Sequence, residues 1–404
     1  MKILQINSVY KNGSTGKIVY DIHTGLTSKN IESIVCFGRG NNINEKNVYK
    51  ICSETYSYFN HFLSLFTGVP YQGYFFSTQK LIRIIKKENP DIVHIHCLNG
   101  YFVDIYKLIE WLKNNKIKMV LTLHAEFMYT GGCGHSLECN KWLDKTGCHH
   151  CDKLKTDFHS IWFDKTNYMW KRMIKTFNDF NKDKIIVTSV SPWLMERAKK
   201  SYALRNLKHV VVMNGLDTNI FHSYNNKEIL SLKQKNNLSN EKIIFHATPS
   251  FNDNPNHIKG GYYVLELAKI MKKENVKFIV AGPYDKQINV PDNVILLGPV
   301  SNQIELAKYY SMADLTLLTS KKETFSMVTA ESLSCGTPIV GFQAGAPEMI
   351  ALKEYSTFVE YGNLNALLRE ITRMINKENN KFNTNFYSKD NMVNKYLEIY
   401  YDLL

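Results

Sequence analysis

Residues 320–348 read SKKETFSMVTAESLSCGTPIVGFQAGAPE. Glu323 and Glu331 stand in this stretch with seven residues between them. Phe325, Met327, Val328 and Ala330 give the interval the apolar spacing of a helix start. Ser334-Cys335-Gly336 forms a small-residue turn into a buried-strand run, Thr337 to Gly341, and a tight turn follows at Gly345. Loop, helix, strand and loop in this order make one α/β unit. One carboxylate sits at the helix mouth, where unpaired N–H groups and the positive dipole end suit a diphosphate. The other lies about two turns in, placed to accept both hydrogen bonds of a sugar's vicinal diol. An amphipathic helix with solvated Glu residues has the same spacing, so the pair alone does not decide.

The surrounding residues do. Glu323, Glu331, Gly336, Pro338, Val340, Gly345 and Glu348 resemble the signature of the retaining glycosyltransferases of family 4. That signature is a Glu, seven residues, a second Glu, a small-Gly-x-Pro-Val strand and a Gly-x-x-Glu turn. The likeness extends more loosely over almost the whole chain. It implies an α/β fold of the GT-B architecture, two Rossmann-like doubly wound domains facing across a cleft. By the same resemblance Glu331 binds the ribose diol and Glu323 contacts the donor sugar. Thr324, Phe325 and Ser326 belong to the donor-binding helix mouth, and Val300, after Gly298-Pro299, lies where the family holds the base.

Bulk properties agree with a two-domain enzyme. A chain of 404 residues is too long for one ordinary core. Its composition is 44% apolar and 22% charged, that of a soluble globular protein. MKILQINSVY reads as a core strand, lacking the h-region and cleavage site of a signal peptide. Eight Cys in such a chain imply a reducing, cytoplasmic compartment, so metal or buried thiols come before disulfides. The net charge of +13 asks for an anionic partner. Residues 171–208 alone hold ten Lys/Arg against three acidic residues. With no nucleic-acid-binding motif in the sequence, an anionic membrane surface or a phosphorylated substrate is expected rather than nucleic acid.

The first domain is expected over residues 1–215. Strands are read at 2–7, 33–38, 91–97 and 118–124, and the loop KNGSTGK follows the first. That loop fails as a P-loop, because Lys11 and Ile18 occupy the Gly and Ser/Thr positions. In family 4 the equivalent loop meets donor and acceptor, a place that Gly13 and Gly16 take by resemblance. His124 ends a predicted parallel strand, where open α/β sheets bind ligands, and matches the family's His that faces the donor sugar. The family's next residue is Asp; here Ala125 and Glu126 follow, and Glu126 joins the acceptor side of the expected cleft. His94 and His96 are read as facing opposite sides of their strand and so as not lining one pocket. His96, with Asn99, is assigned to the cleft and His94 to the core.

Cys133, Cys139, Cys148 and Cys151 fall within the insertion 131–151, and the last two have a zinc-knuckle spacing. A structural zinc is expected there, with no cofactor for catalysis. Phe158 to Phe180 alternates apolar and basic residues at helical spacing, which fits a core face or an interfacial membrane face.

Asn214-Gly215-Leu216-Asp217 resembles the family's domain crossing. The second domain is expected over 216–385, and a helix over 386–404 returns to the first. Lys259-Gly260 opens a helix after an Asn/Asp/Pro-rich loop, a natural diphosphate clamp. The family pairs this Lys with an upstream Arg, yet no Arg occurs between Leu207 and Leu368. His246, His257 or backbone groups are the candidates to replace it. The sequence contains no Asp-x-Asp, the signature of the metal-dependent alternative fold. By the resemblance the catalytic set is Glu323, His124 and Lys259. The expected activity is retaining transfer of a hexose from a nucleoside-diphosphate sugar to a saccharide or lipid-linked acceptor. A zinc-stapled adaptor built on a degenerate transferase, or a nucleotide-sugar epimerase, is the alternative.

Overall fold

A computed structural model describes residues 1–377 and 382–404 of the chain. Its first half runs β1 (Lys2–Asn7), α1 (Gly13–Ser28), β2 (Glu32–Phe37), β3 (Val48–Lys50), α2 (Glu54–Thr67), α3 (Phe75–Glu88), β4 (Ile92–Ile95), α4 (Ile105–Asn114), β5 (Lys118–Leu123), α5 (Thr166–Phe177), β6 (Ile185–Ser189), α6 (Pro192–Lys200) and β7 (Lys208–Val211). The second half runs α7 (Asn226–Lys235), β8 (Lys242–Ala247), α8 (Gly261–Ile270), β9 (Val276–Ala281), β10 (Val294–Gly298), α9 (Gln303–Met312), β11 (Leu315–Leu318), α10 (Met327–Ser334), β12 (Ile339–Phe342), α11 (Pro347–Ile350), β13 (Ser356–Val359) and α12 (Leu364–Ile375). The last helix is α13 (Lys389–Leu403).

These elements form two compact units, Met1–Gly215 with Asp390–Leu404, and Leu216–Lys389. Each is built on one parallel sheet, in the orders β3-β2-β1-β4-β5-β6-β7 and β10-β9-β8-β11-β12-β13. Both orders reverse after an early strand, the doubly wound pattern that the sequence implies. The strands are short apolar runs covered on both faces by helices, as parallel sheets require. In the first unit α1 and α13 cover one face, burying Ile18, Ile22, Tyr396 and Tyr400 against Ile3, Ile92 and Val120. In the second unit α8 and α12 place Val264, Leu267, Leu367 and Ile371 against Phe278, Leu317 and Val340.

The helix expected from Phe158 is shorter than the sequence suggests. Asp164 accepts hydrogen bonds from the Thr166 N–H and hydroxyl at 2.9 and 2.6 Å, and α5 begins only at Thr166. Ile161 and Trp162 therefore lie in a loop, and Trp170 faces the core with Met169, Met173 and Phe177. At the N-terminal loop the helix starts earlier than expected, so Gly13 and Gly16 both belong to α1. No helix among the described residues is long and apolar enough to cross a membrane.

Candidate functional site

In the second unit the ends of β8, β10, β11 and β12 converge on the mouth of α10. Lys259 Nζ lies 2.6 Å from Glu323 Oε1, and both side chains are mostly buried. Gly260, next to Lys259, holds φ at +66°, and a Cβ there would stand 2.2 Å from the Thr319 carbonyl oxygen. Only glycine lets the chain turn this tightly into α8. The Thr319 hydroxyl donates to the Lys259 carbonyl at 3.1 Å, and the Lys321 N–H to the Ile258 carbonyl at 2.8 Å. The lysine loop and the glutamate loop are thus sewn together by main chain as well as by charge.

Glu323 is held from its other side. Its N–H donates to Ala344 and its carbonyl accepts from Ala346, at 2.9 and 3.2 Å. Glu348 accepts from the N–H groups of Ala344 and Gly345, closing the Gly-x-x-Glu turn around its carboxylate. At the N-cap of α10 the geometry is strained. Ser326 caps the helix by accepting from the Thr329 N–H at 3.2 Å, but at φ +80°. Non-glycine residues seldom occupy that region, and such outliers gather at ligand sites. Thr324 is half-buried beside it, and Phe325 is buried.

Further along, the hydroxyl of the fully buried Tyr310 donates to Glu331 Oε2 at 2.9 Å. It fixes the half-buried carboxylate at the edge of the site. A pocket of about 310 Å³ opens between Ala247, Thr248, Gly282, Pro283, Val300 and Val328. Its walls are largely apolar and come mainly from the ends of β8, β9 and β10 and the loops that follow them. Gly282 admits no side chain: a Cβ would lie 1.8 Å from the Thr248 carbonyl oxygen.

Of the two histidines proposed to replace the missing Arg, His246 supplies no charge there. His246 donates from Nδ1 to the Leu317 carbonyl at 3.0 Å, and burial pushes its pKa down to about 4. It is a neutral core ring. His257 accepts from the Lys259 N–H at 3.4 Å and so braces the lysine loop.

In the first unit His124 follows β5 and is 9% exposed. Burial lowers its pKa to about 4, so it acts as a neutral hydrogen-bonding group. Its Nε2 lies 3.2 Å from Nδ1 of His96. His96 differs from its assignment as a cleft residue: it is buried behind His124, its ring 3.9 Å from that of His94. Residues two apart on an extended strand face the same side, so the expected separation of His94 from His96 was mistaken and the two rings pack together. His94 bonds the Tyr400 hydroxyl of α13 and the Thr122 hydroxyl, at 2.6 and 2.7 Å. The three rings thus back onto the C-terminal helix. Gly13 is exposed with open space at its Cα, whereas Gly16 is buried against Val9 and Lys11. Asn99 is exposed.

Glu126 also lies elsewhere than the acceptor side. It is fully buried, 2.5 Å from Arg197 Nε, and accepts from Tyr129 and from the N–H and hydroxyl of Ser136. Its carboxylate braces the Cys-rich insertion, a role invisible in sequence because Arg197 stands far along the chain. Within that insertion Cys133, Cys139, Cys148 and Cys151 line one pocket of about 440 Å³ together with His149. The donor set is that of a structural zinc site, although no three His, Cys, Asp or Glu groups among the described residues stand in a metal-holding array.

Known proteins resemble this chain over most of its length. The family model for Glycosyltransferase Family 4 matches residues 15–220, and that for Glycosyl transferases group 1 matches residues 250–377. N-acetyl-alpha-D-glucosaminyl L-malate synthase of Bacillus anthracis is 25% identical over 346 residues, 80% of this chain and 78% of its own. The putative colanic acid biosynthesis glycosyl transferase WcaC of Escherichia coli K12 is 24% identical over 164 residues, covering 38% of this chain and 40% of its own. Among solved structures, Anabaena HepE in complex with UDP and glucose has a TM-score of 0.64 at 15% identity, covering 99% of each chain.

Proposed function

Because this chain belongs to glycosyltransferase family 4, we propose that it moves a hexose-type sugar from a UDP-sugar to a saccharide or lipid-linked saccharide acceptor, with retention at the anomeric carbon. That it is a glycosyltransferase follows from the family; donor, acceptor and stereochemistry are our inference. The observation that carries it is the Lys259–Glu323 pair at the mouth of α10, with the Tyr310-held Glu331 further along that helix. This constellation offers a cation and helix N–H groups to a diphosphate, and a fixed carboxylate to a ribose diol. The pocket beside Val300 has room for a base.

In this scheme the bond from the anomeric carbon to the diphosphate oxygen breaks. The acceptor hydroxyl oxygen bonds that carbon on the same face, and its proton passes to the departing phosphate oxygen. This scheme uses no side chain as a nucleophile: Lys259 and the α10 N–H groups stabilise charge on the leaving diphosphate.

The relatives support the choice of donor and pathway. HepE was solved with UDP and glucose, and WcaC is named for colanic acid biosynthesis. A small hydroxy acid as acceptor is the second reading, favoured by the N-acetyl-alpha-D-glucosaminyl L-malate synthase that matches most of the chain. We further infer a cytoplasmic enzyme, peripheral on an anionic membrane face, with a structural zinc at the four cysteines. The deciding experiment is a thermal-shift panel of nucleoside diphosphates and their sugars, followed by product analysis with saccharide and malate acceptors. A ligand at 100 times its Kd stabilises by about 2.7 kcal/mol. Absence of a shift with every nucleotide would remove the donor assignment.

A further inference from the structure

Helix α2 is built inside out. Its buried residues are Ser57, Asn60 and Ser64. Ser57 and Asn60 donate to the carbonyls of Gly100 and Tyr101, both at 2.9 Å. Its outer face carries Tyr58, Phe59, Phe62 and Leu63, exposed by 63%, 55%, 55% and 43%. An ordinary surface helix does the reverse. The loop 161–163 extends the same face: Ile161 N–H donates to the Leu65 carbonyl, and Trp162 packs its ring 5.4 Å from Phe66. Trp162 is itself 65% exposed. Contiguous apolar surface of this kind marks a docking site.

The charge around the patch states what docks. Along α2 the one carboxylate is Glu54 at its start, which is bonded to Arg39 at 2.9 Å. Asp164 in the loop is spent on Thr166 and the Cys151 N–H. The cations, by contrast, border the aromatics. Arg39 lies 5.1 Å from the Tyr58 ring and Lys165 lies 5.6 Å from that of Phe163. Lys107, Lys171, Arg172 and Lys175 line a groove of about 340 Å³ together with Asp104, and Arg172 is paired with Glu110 at 2.8 Å, which leaves Lys171 and Lys175 among its exposed cations. Amphipathic rings with an apolar body, rimmed by Lys and Arg, suit the boundary between headgroups and acyl chains. A second copy on this face would bring two cationic rims together, which is unfavourable.

We propose that α2 and the loop 161–163 form the face by which this protein binds an anionic lipid bilayer. The aromatics enter the headgroup layer, and Lys165, Lys171 and Lys175 contact acidic lipid. The inference deepens the peripheral-membrane part of the proposed function, and its binding step does not depend on transfer.

The test is flotation of the full chain with phosphatidylcholine vesicles and with vesicles containing phosphatidylglycerol. Binding is expected on the anionic vesicles and falls steeply between about 0.1 and 0.5 M salt. Combining Phe59→Ser, Phe62→Ser and Trp162→Ser should weaken it at least about tenfold. Lys171→Glu with Lys175→Glu should weaken binding to anionic vesicles alone. All of these side chains are outside the packed core, and an unchanged melting curve verifies folding of each variant. Undiminished flotation of the triple aromatic variant overturns the proposal. So does a wild-type dimer in solution that ignores vesicles and is dissolved by the same substitutions. If no nucleotide shifts the wild-type melt while flotation behaves as expected, the membrane face stands and the donor assignment falls.

Discussion

Lys259 and Glu323, 64 residues apart, form a short ion pair across the two loops that enclose the α10 mouth. A diphosphate arriving there competes with Glu323 for the same ammonium group. Glu323→Gln should therefore bind UDP a few-fold more tightly, since a partly exposed pair contributes at most about 1 kcal/mol. Sugar transfer should fall about 10- to 100-fold, the loss expected for one charged hydrogen bond to the donor sugar. Lys259→Ala should weaken UDP far more than uridine. Calorimetry with both ligands checks this; equal losses would make Lys259 a structural residue.

Tyr310 and Glu331 form the second relationship to probe. Glu331→Ala removes the proposed ribose contact, which should cost about 1.5–3 kcal/mol of UDP affinity. Tyr310→Phe leaves the carboxylate present but less fixed, and a smaller loss of about 1 kcal/mol is expected. Wild-type UDP affinity in Glu331→Ala would end the ribose assignment.

At Ser326 the cap and the strained backbone oppose one another. Ser326→Ala loses the cap and keeps φ near +80°, costing about 1–2 kcal/mol. Ser326→Gly loses the cap too but relieves the backbone, and should cost only a few tenths. Denaturant unfolding that ranks Ala above Gly would contradict the strain.

The buried histidines make stability depend on pH. His124 and His246 both fall to about 4, and burial holds His94 and His96 well below their ordinary value. The unfolded chain binds protons at these rings from about pH 6.5 downward, before the folded one does. Their contribution is thus complete above about pH 6.5 and is lost as pH falls from there toward 4. The melting temperature should drop by at least about 5 °C between pH 7.5 and pH 5. A flat profile over that interval would show that the rings titrate in the fold.

One zinc per chain is expected at Cys133, Cys139, Cys148 and Cys151, with the thiols ionised on binding. Protein purified without added metal should contain about one equivalent by elemental analysis. Chelation should lower its melting temperature. Metal-free protein whose thiols titrate freely, or whose cysteines are oxidised in pairs, would dispose of the site.

The strands were legible because they are short apolar runs: those read at 2–7 and 118–124 fold as Lys2–Asn7 and Lys118–Leu123. The α10 mouth was legible because its parts lie close together in the chain. Contacts between distant residues were not. Nothing near Tyr310 announces that it holds Glu331, and Glu126 looked like a cleft residue until Arg197 was placed beside it. Helix α2 escaped for a different reason. Its apolar period is present, but periodicity carries no sign, and here the large side chains point outward.

The first unit contains the chain's last fifteen residues, Asp390–Leu404, and its core is incomplete without Tyr396 and Tyr400. During synthesis residues 1–215 are made before the second unit, yet their sheet lacks one covering helix until α13 has followed. The second unit, continuous from Leu216 to Lys389, is free to fold earlier. The order of completion is thus the reverse of the order of synthesis, and a ribosome stalled before α13 would carry a finished second domain beside an uncovered first one.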